Sequence, residues 1–334
     1  MSVQVAKDIV IKAQNLSRDY EYYEKSQGLA GSIKNIFHKE KLYKHAVVDL
    51  NIEIERGSIM GFIGLNGAGK TTTLKMLTGL LKPTSGNLSV LGYTPFAKKN
   101  DFLRQIALVM GNKSQLWWDI PAIETFQLNK TIYEVDDNTY NNNLNELVEL
   151  LGVKDKLNIQ VRRLSLGERM KMELIASLIH SPKIVFLDEP TLGLDILSQY
   201  AIRNFLKDYN ERTKATIILT SHNFNDIVSL SKKLLIINKG EIIYSDLFSN
   251  FQKKFSDKKI ITLKFKEYDK TIINAFETKG YTVEENISDN SIKISVDSEN
   301  TVEMMQTVTN YYDNLIDLNI ENIDTEEIVR NIYI

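Results

Sequence analysis

Residues 64–72 read Gly64-Leu65-Asn66-Gly67-Ala68-Gly69-Lys70-Thr71-Thr72. One glycine, four residues, then Gly-Lys-Thr is a spacing that suits a phosphate group. Glycines let backbone N–H groups turn inward and approach an anion closely. An apolar stretch, "SIMGFIG", precedes the motif and a helical stretch, "KTTTLKMLTGLL", follows it. The helix would point its positive end at the same oxygens. Lys70 adds a full charge, and the Thr71 hydroxyl is a candidate ligand for Mg²⁺.

Two carboxylates end another apolar run, "KIVFLDEP". Parallel sheets place chemistry at strand ends. Asp188 is the candidate to hold Mg²⁺ through water, and Glu189 to take a proton from an attacking water. Alone, the pair would read as a solvated strand end; Lys70 elsewhere in the chain changes that reading. His222 follows the apolar run "ATIILTS" and is expected at the same sheet edge, in reach of a terminal phosphate. His38, His45 and His180 read as ordinary surface or satisfied histidines. Ser165-x-x-Glu168 opens "LSLGERMKMELIASLIHSP" with the spacing of a capping box. From spacing alone it is an ordinary capped helix. Trp117 and Trp118 are adjacent in "GNKSQLWWDIP". Neighbouring residues point in different directions, so one pocket does not easily take both indoles. Trp118 is expected to pack under helices and Trp117 to be partly exposed.

The elements that must position these residues follow from periodicity. "VVDLNIEIERG" alternates like a half-buried antiparallel strand, while "SIMGFIG" is continuously apolar, as for a strand covered on both faces. From about residue 113 to 181 the pattern is helical, with Leu144, Leu147, Val148 and Leu151 on one face and Gly152 as C-cap. Strands and helices then alternate to about residue 247, which implies an α/β fold with a mostly parallel sheet. "NKG" leads into "EIIYSD" as a hairpin. Residues 248–259 are polar and charged and read as a linker. Residues 260–334 read as a small split α+β domain. Residues 21–45 are long for a strand connection, and Ile33, Ile36 and Phe37 suit a short amphipathic helix.

The 334 residues are 43% hydrophobic and 25% charged, as in a globular protein with a core. Lysine and arginine number 41 against 43 acidic residues, so no nucleic-acid partner is expected. No cysteine is present, which excludes disulfide and thiolate chemistry and is compatible with a cytoplasmic site. No signal-peptide core and no 18-residue apolar window is found. Any work at a membrane then needs another chain to span it.

Taken in order, the 64–72 loop, "LSLGE", "FLDEP", "GLD" and His222 resemble the nucleotide-binding subunits of ATP-binding cassette (ABC) transporters. The resemblance covers about residues 8–245, and is greatest to stand-alone ATPase subunits of ABC-2-type bacterial exporters. It implies an ABC cassette in residues 1–247, a mixed sheet with an antiparallel part and a helical subdomain. Two cassettes would pair head to tail, identical or closely related, each ATP lying between the 64–72 loop of one and the Ser165–Glu168 helix start of the other. Ser165, Leu166, Gly167 and Glu168 would then act in trans, together with Asp195 of "GLD". Glu189 would be the general base and His222 the switch histidine. Tyr20 lies where the family stacks the adenine ring. The segment holding Trp117 and Trp118 would face a separate transmembrane permease, with the subunit peripheral at the cytoplasmic face.

Three departures from the family stand out. Leu166 replaces a glycine of the signature, Glu168 replaces its glutamine, and Asn112 occupies the place of a metal-contacting glutamine, with Gln115 three residues too late. A soluble ABC-type ATPase and a nucleotide-sensing module are the alternative functions. A single cassette without heptads argues against the first, and the intact Asp-Glu pair against the second.

Overall fold

A computed structural model describes residues 8–23, 41–111, 113–255, 258–267 and 270–322. Asn112 and most of the 21–45 segment lie outside the described residues. The chain divides into two compact units, residues 1–246 and 247–334.

In the first unit, the strands are β1 (Ile9–Tyr22), β2 (Leu42–Glu55), β3 (Ile59–Ile63), β4 (Ser85–Val90), β5 (Ile106–Met110), β6 (Ile184–Asp188), β7 (Thr216–Ser221), β8 (Lys233–Asn238) and β9 (Glu241–Leu247, whose last residue opens the second unit). β2, β1 and β4 make an antiparallel sheet in that order. The other six run β5-β6-β7-β3-β8-β9, with parallel pairing from β5 through β8. Every residue of β6 and β7 is buried, because both faces of this sheet are covered. That explains their unbroken apolar sequence. β2 instead alternates exposed and buried positions from Asp49 to Ile54, and β1 does so from Ile11 to Gln14.

The sheet order puts β6, β7 and β3 side by side. Register pairs Asp188 with Thr220 and Ile63 with Ser221. The carboxyl ends of three strands distant in sequence therefore meet, and the loops that leave them form one edge. Between β8 and β9 the two-residue turn Lys239-Gly240 has positive φ at both positions, the geometry of a tight hairpin. Gly240 N–H donates to the Ala68 carbonyl at 2.9 Å, so this turn braces the phosphate loop.

Helices α1 (Lys70–Leu77), α2 (Asn100–Leu103), α3 (Ala122–Ile132), α4 (Asp137–Leu151), α5 (Leu166–Leu178), α6 (Ile196–Thr213) and α7 (Phe224–Leu230) complete the unit. The Asp136 carboxylate caps α4 by accepting from Thr139 N–H at 3.0 Å. Gly152 ends α4 at φ 61°.

After Leu247 the second unit continues with a helix, α8 (Phe248–Phe255), across most of the stretch expected to be a linker. The physical reason is a helical repeat of aromatics, Phe248, Phe251 and Phe255, inside a polar composition. Phe251 is fully buried. β10 (Lys258–Phe265), α9 (Lys270–Glu277), β11 (Thr282–Asn286), β12 (Ser291–Asp297), α10 (Thr301–Thr309) and β13 (Leu315–Asn322) follow. The sheet order β11-β12-β10-β13 with this sequence of elements is a split βαβ arrangement. Ile261, Leu263, Phe276, Ile294 and Met304 form its core.

Candidate nucleotide site

The loop between β3 and α1 needs its glycines. Gly67 and Gly69 sit at φ 82° and 112°, where an L side chain is strained. A Cβ on Gly69 would lie 2.5 Å from the Ala46 carbonyl oxygen. Gly69 is the N-cap of α1 and offers no capping side chain. The first N–H groups of α1 are thus left for a ligand. Lys70 is 6% exposed, and its Nζ donates to the Gly64 carbonyl at 2.5 Å. It also stands 3.2 Å from Glu189 Oε1. The cation is thereby held at the mouth of the loop against the acid.

Asp188 ends β6, buried, and accepts from Thr71 Oγ1 at 2.8 Å and from Thr220 Oγ1 at 2.7 Å. Glu189 follows in the left-handed region at φ 54°. Its N–H donates to Thr220 Oγ1 at 3.1 Å, which fixes the turn. His222 Nδ1 lies 2.7 Å from Glu189 Oε2. Lys70, Thr71, Asp188, Glu189 and His222 are thus in one connected set.

A cavity of about 430 Å³ covers this set and the 64–72 loop. Tyr20, Lys44, Leu192 and His222 line it as well. The Arg18 guanidinium lies 4.9 Å from the centre of the Tyr20 ring.

The second group of expected residues is elsewhere. Ser165 caps α5, and the reciprocal pair is formed: Glu168 N–H to Ser165 Oγ at 3.2 Å, and Ser165 N–H to Glu168 Oε2 at 2.8 Å. Hydrogen bonding to the Ser165 backbone N–H, helped by Lys156 at 3.2 Å, holds the Glu168 carboxyl below its usual range. That carboxylate is folded back onto the cap. Asp195 caps α6, accepting from Ser198 N–H at 2.9 Å and Ser198 Oγ at 2.6 Å, which lowers its pKa. A Cβ on Gly167 would meet Ser198 Oγ at 2.3 Å, so the two helix starts touch. None of Ser165, Leu166, Gly167, Glu168 or Asp195 lines the cavity. Leu166, Leu192, Ile196 and Leu197 are exposed; Leu197 is 80% exposed.

Trp117 and Trp118 are 60% and 52% exposed. Trp118 does not pack under helices, which corrects the sequence expectation. The Arg169 guanidinium lies 4.9 Å from its ring centre, a cation–π contact that supports an exposed indole.

Sequence reading missed Thr220 and Asp226. Thr220 bonds both Asp188 and the Glu189 N–H. Asp226 is 1% exposed and accepts from Thr191 at 2.5 Å, Ser221 at 3.1 Å and Arg203 at 2.8 Å. It ties together the loop after Glu189, the residue before His222, and α6.

A phosphate loop backed by carboxylates at the carboxyl edge of a parallel sheet is the arrangement of nucleoside-triphosphatases. Comparison with known proteins narrows that class. The family model described as ABC transporter matches residues 47–192. The ABC transporter ATP-binding protein NatA of Bacillus subtilis (strain 168) is 33% identical over 208 residues, 62% of this chain and 84% of NatA. The bacitracin transport ATP-binding protein BcrA of Bacillus licheniformis is 30% identical over 235 residues, 70% of this chain and 75% of BcrA. A solved structure of an ABC transporter ATP-binding subunit agrees in fold, with TM-score 0.60 at 22% identity over 74% of this chain and 93% of that one. The chain belongs to the ATP-binding proteins of ABC transporters, and is an ATP-binding, ATP-hydrolysing subunit.

Proposed function

We propose that this chain drives a membrane exporter by closing head to tail with a second cassette around two Mg-ATP. The observation that carries the reading is the separation of two half-sites in one chain. The phosphate cavity lacks the helix start at Ser165, and that helix start has no phosphate loop beside it. A two-fold partner brings each to the other. The exposed Leu166, Leu192, Ile196 and Leu197 lie where that partner would cover them. Among the described residues no helix is long and apolar enough to cross a membrane. Transport then needs a separate permease, with this subunit at its cytoplasmic face, and Trp117 and Trp118 are the proposed contact with it.

The residues fit Mg²⁺. Thr71 Oγ1 and the Asp188 carboxylate converge within 3.0 Å, and a hard dication takes a hydroxyl, one carboxylate and substrate phosphate oxygens. Bound there, the ion would neutralise charge on the phosphates. Lys70 neutralises more, and the first N–H groups of α1 bind the remaining oxygens. Tyr20 offers a ring face to the adenine. Glu189 takes the proton of the attacking water; water oxygen bonds to the γ-phosphorus as the bond to ADP breaks. His222 holds the Glu189 carboxylate and reaches the γ-phosphate. Ser165, Leu166, Gly167 and Glu168 serve the partner's γ-phosphate, and Asp195 holds the helix start beside them. The metal contact assigned to Asn112 lies outside the described residues. Mixing a Lys70→Ala chain with a Leu166→Asp chain tests the reading: ATPase activity that returns on mixing supports a site built from two chains, and no recovery contradicts it.

A further inference from the structure

α5 buries a carboxylate in an otherwise apolar stretch. Met172, Leu174 and Ile175 are fully buried, and Glu173 among them is 6% exposed. Burial pushes its carboxyl above the usual range. An apolar side chain could fill the same space without the cost of removing a carboxylate from water. What the carboxylate adds is direction. It accepts from the Ser114 hydroxyl, from Gln115 N–H at 3.0 Å and from Leu116 N–H at 3.5 Å. Gln115 Nε2 returns a bond to the Glu173 carbonyl at 3.2 Å. One turn earlier on α5, Arg169 covers Trp118. Residues 114–118 are thus fastened along α5 at both ends.

The same segment is anchored to the catalytic edge. Lys113 N–H bonds the Met110 carbonyl at 3.0 Å, and Gly111 N–H bonds the Asp188 carbonyl at 2.8 Å. A Cβ on Gly111 would lie 2.4 Å from the Glu189 carbonyl oxygen. The segment therefore runs from the backbone of the two acids to the helix that begins at Ser165, and it ends in two exposed indoles.

We propose that Glu173 is a positioning residue that makes the tryptophan-bearing segment and α5 one mechanical body, so that nucleotide binding displaces the indole pair. This rests on the proposed reading that α5 is drawn toward a bound nucleotide. Trp117 and Trp118 are the chain's two tryptophans, so fluorescence excited beyond the absorption band of its 15 tyrosines reports this segment alone. Acrylamide quenching of the full chain, with and without Mg-ATP, is compared with ATP affinity from calorimetry. The wild type is expected to show a quenching change that follows the binding isotherm. Glu173→Leu is expected to bind ATP within about threefold of wild type and to lose about tenfold of the quenching amplitude, the scale of a lost hydrogen-bond set to a charged group. Glu173→Gln, which keeps one acceptor, is expected to fall between. A purely structural role would lower the melting temperature and leave the amplitude of the folded fraction intact. Full amplitude in a folded Glu173→Leu chain overturns the inference, as does a wild type that binds ATP without any quenching change. A wild type that does not bind ATP overturns the nucleotide reading itself. If Glu173→Leu does not fold, Ser114→Ala with Gln115→Ala loosens the clamp from the loop side; undiminished amplitude there overturns the inference equally.

Discussion

Gly111→Ala adds one methyl group beside the catalytic backbone. The new Cβ would stand 2.4 Å from the Glu189 carbonyl oxygen and 3.2 Å from that of Asp188. Restoring a 3.0 Å contact moves the Glu189 oxygen by about 0.6 Å. The turn has little slack. Glu189 already holds φ 54°, and its N–H is bonded to Thr220. The displacement passes to the carboxylate, whose 2.7 Å contact with His222 and 3.2 Å contact with Lys70 both stretch. A misplacement of about 1 Å can cost about 10²-fold in rate, so about tenfold is expected here. Overpacking should also remove about 1–3 kcal/mol of stability. The phosphate loop is untouched, so ATP affinity should stay within about threefold. Phosphate release measured against ATP concentration, corrected for the folded fraction, separates these effects. An unchanged kcat in folded protein, or a raised KM at full kcat, would refute the reasoning.

Glu189→Gln should lower ATP turnover by about 10²–10⁴-fold while nucleotide binding persists, read from phosphate release and calorimetry. Unchanged turnover would remove Glu189 as the base. His180 stacks on Tyr133 with ring centres 3.8 Å apart and contacts the Ile106 carbonyl; burial pulls its pKa down to about 4. Above about pH 6.5 the ring is neutral in both states and contributes no pH dependence. As pH falls toward about 4 the unfolded chain takes the proton first, so up to about 3 kcal/mol of stability is lost. His180→Phe should flatten that part of a urea-unfolding pH series, and an unchanged slope would contradict the assignment.

The parts of the site written in consecutive residues were legible in the sequence. The glycines of 64–72, the Asp188-Glu189 pair and the Ser165–Glu168 box each depend on local backbone geometry, and local spacing encodes it. Thr220 and Asp226 were not legible: the role of Thr220 arises from strand register, and that of Asp226 from partners as far off as Thr191 and Arg203. Thr220 faces Asp188 only because β7 pairs with β6 in that alignment. Nothing local marks Glu173, because its donors come from a loop about 58 residues away. α8 was hidden by composition: its aromatics repeat at helical spacing in a run otherwise polar. Trp118 is expected under the helices because adjacent side chains diverge and one pocket does not easily take both indoles; the Arg169 guanidinium on α5 gives it a surface resting place instead.

The composite site is tested most directly by complementation. Lys70→Ala disables a chain's own phosphate loop. Leu166→Asp spoils the half-site that would serve the partner. Leu166 is exposed in the first turn of α5, where an acid suits the helix dipole but repels an incoming phosphate. Gly167 is a poorer choice, because a side chain there strikes Ser198 of its own chain. Each variant alone should be nearly inactive. Mixed in equal amounts, random pairing leaves one intact site in half of the dimers, so about a quarter of wild-type ATPase activity should return. Full activity in the Leu166→Asp homodimer, or no recovery on mixing two folded variants that bind each other, would contradict a site built from two chains.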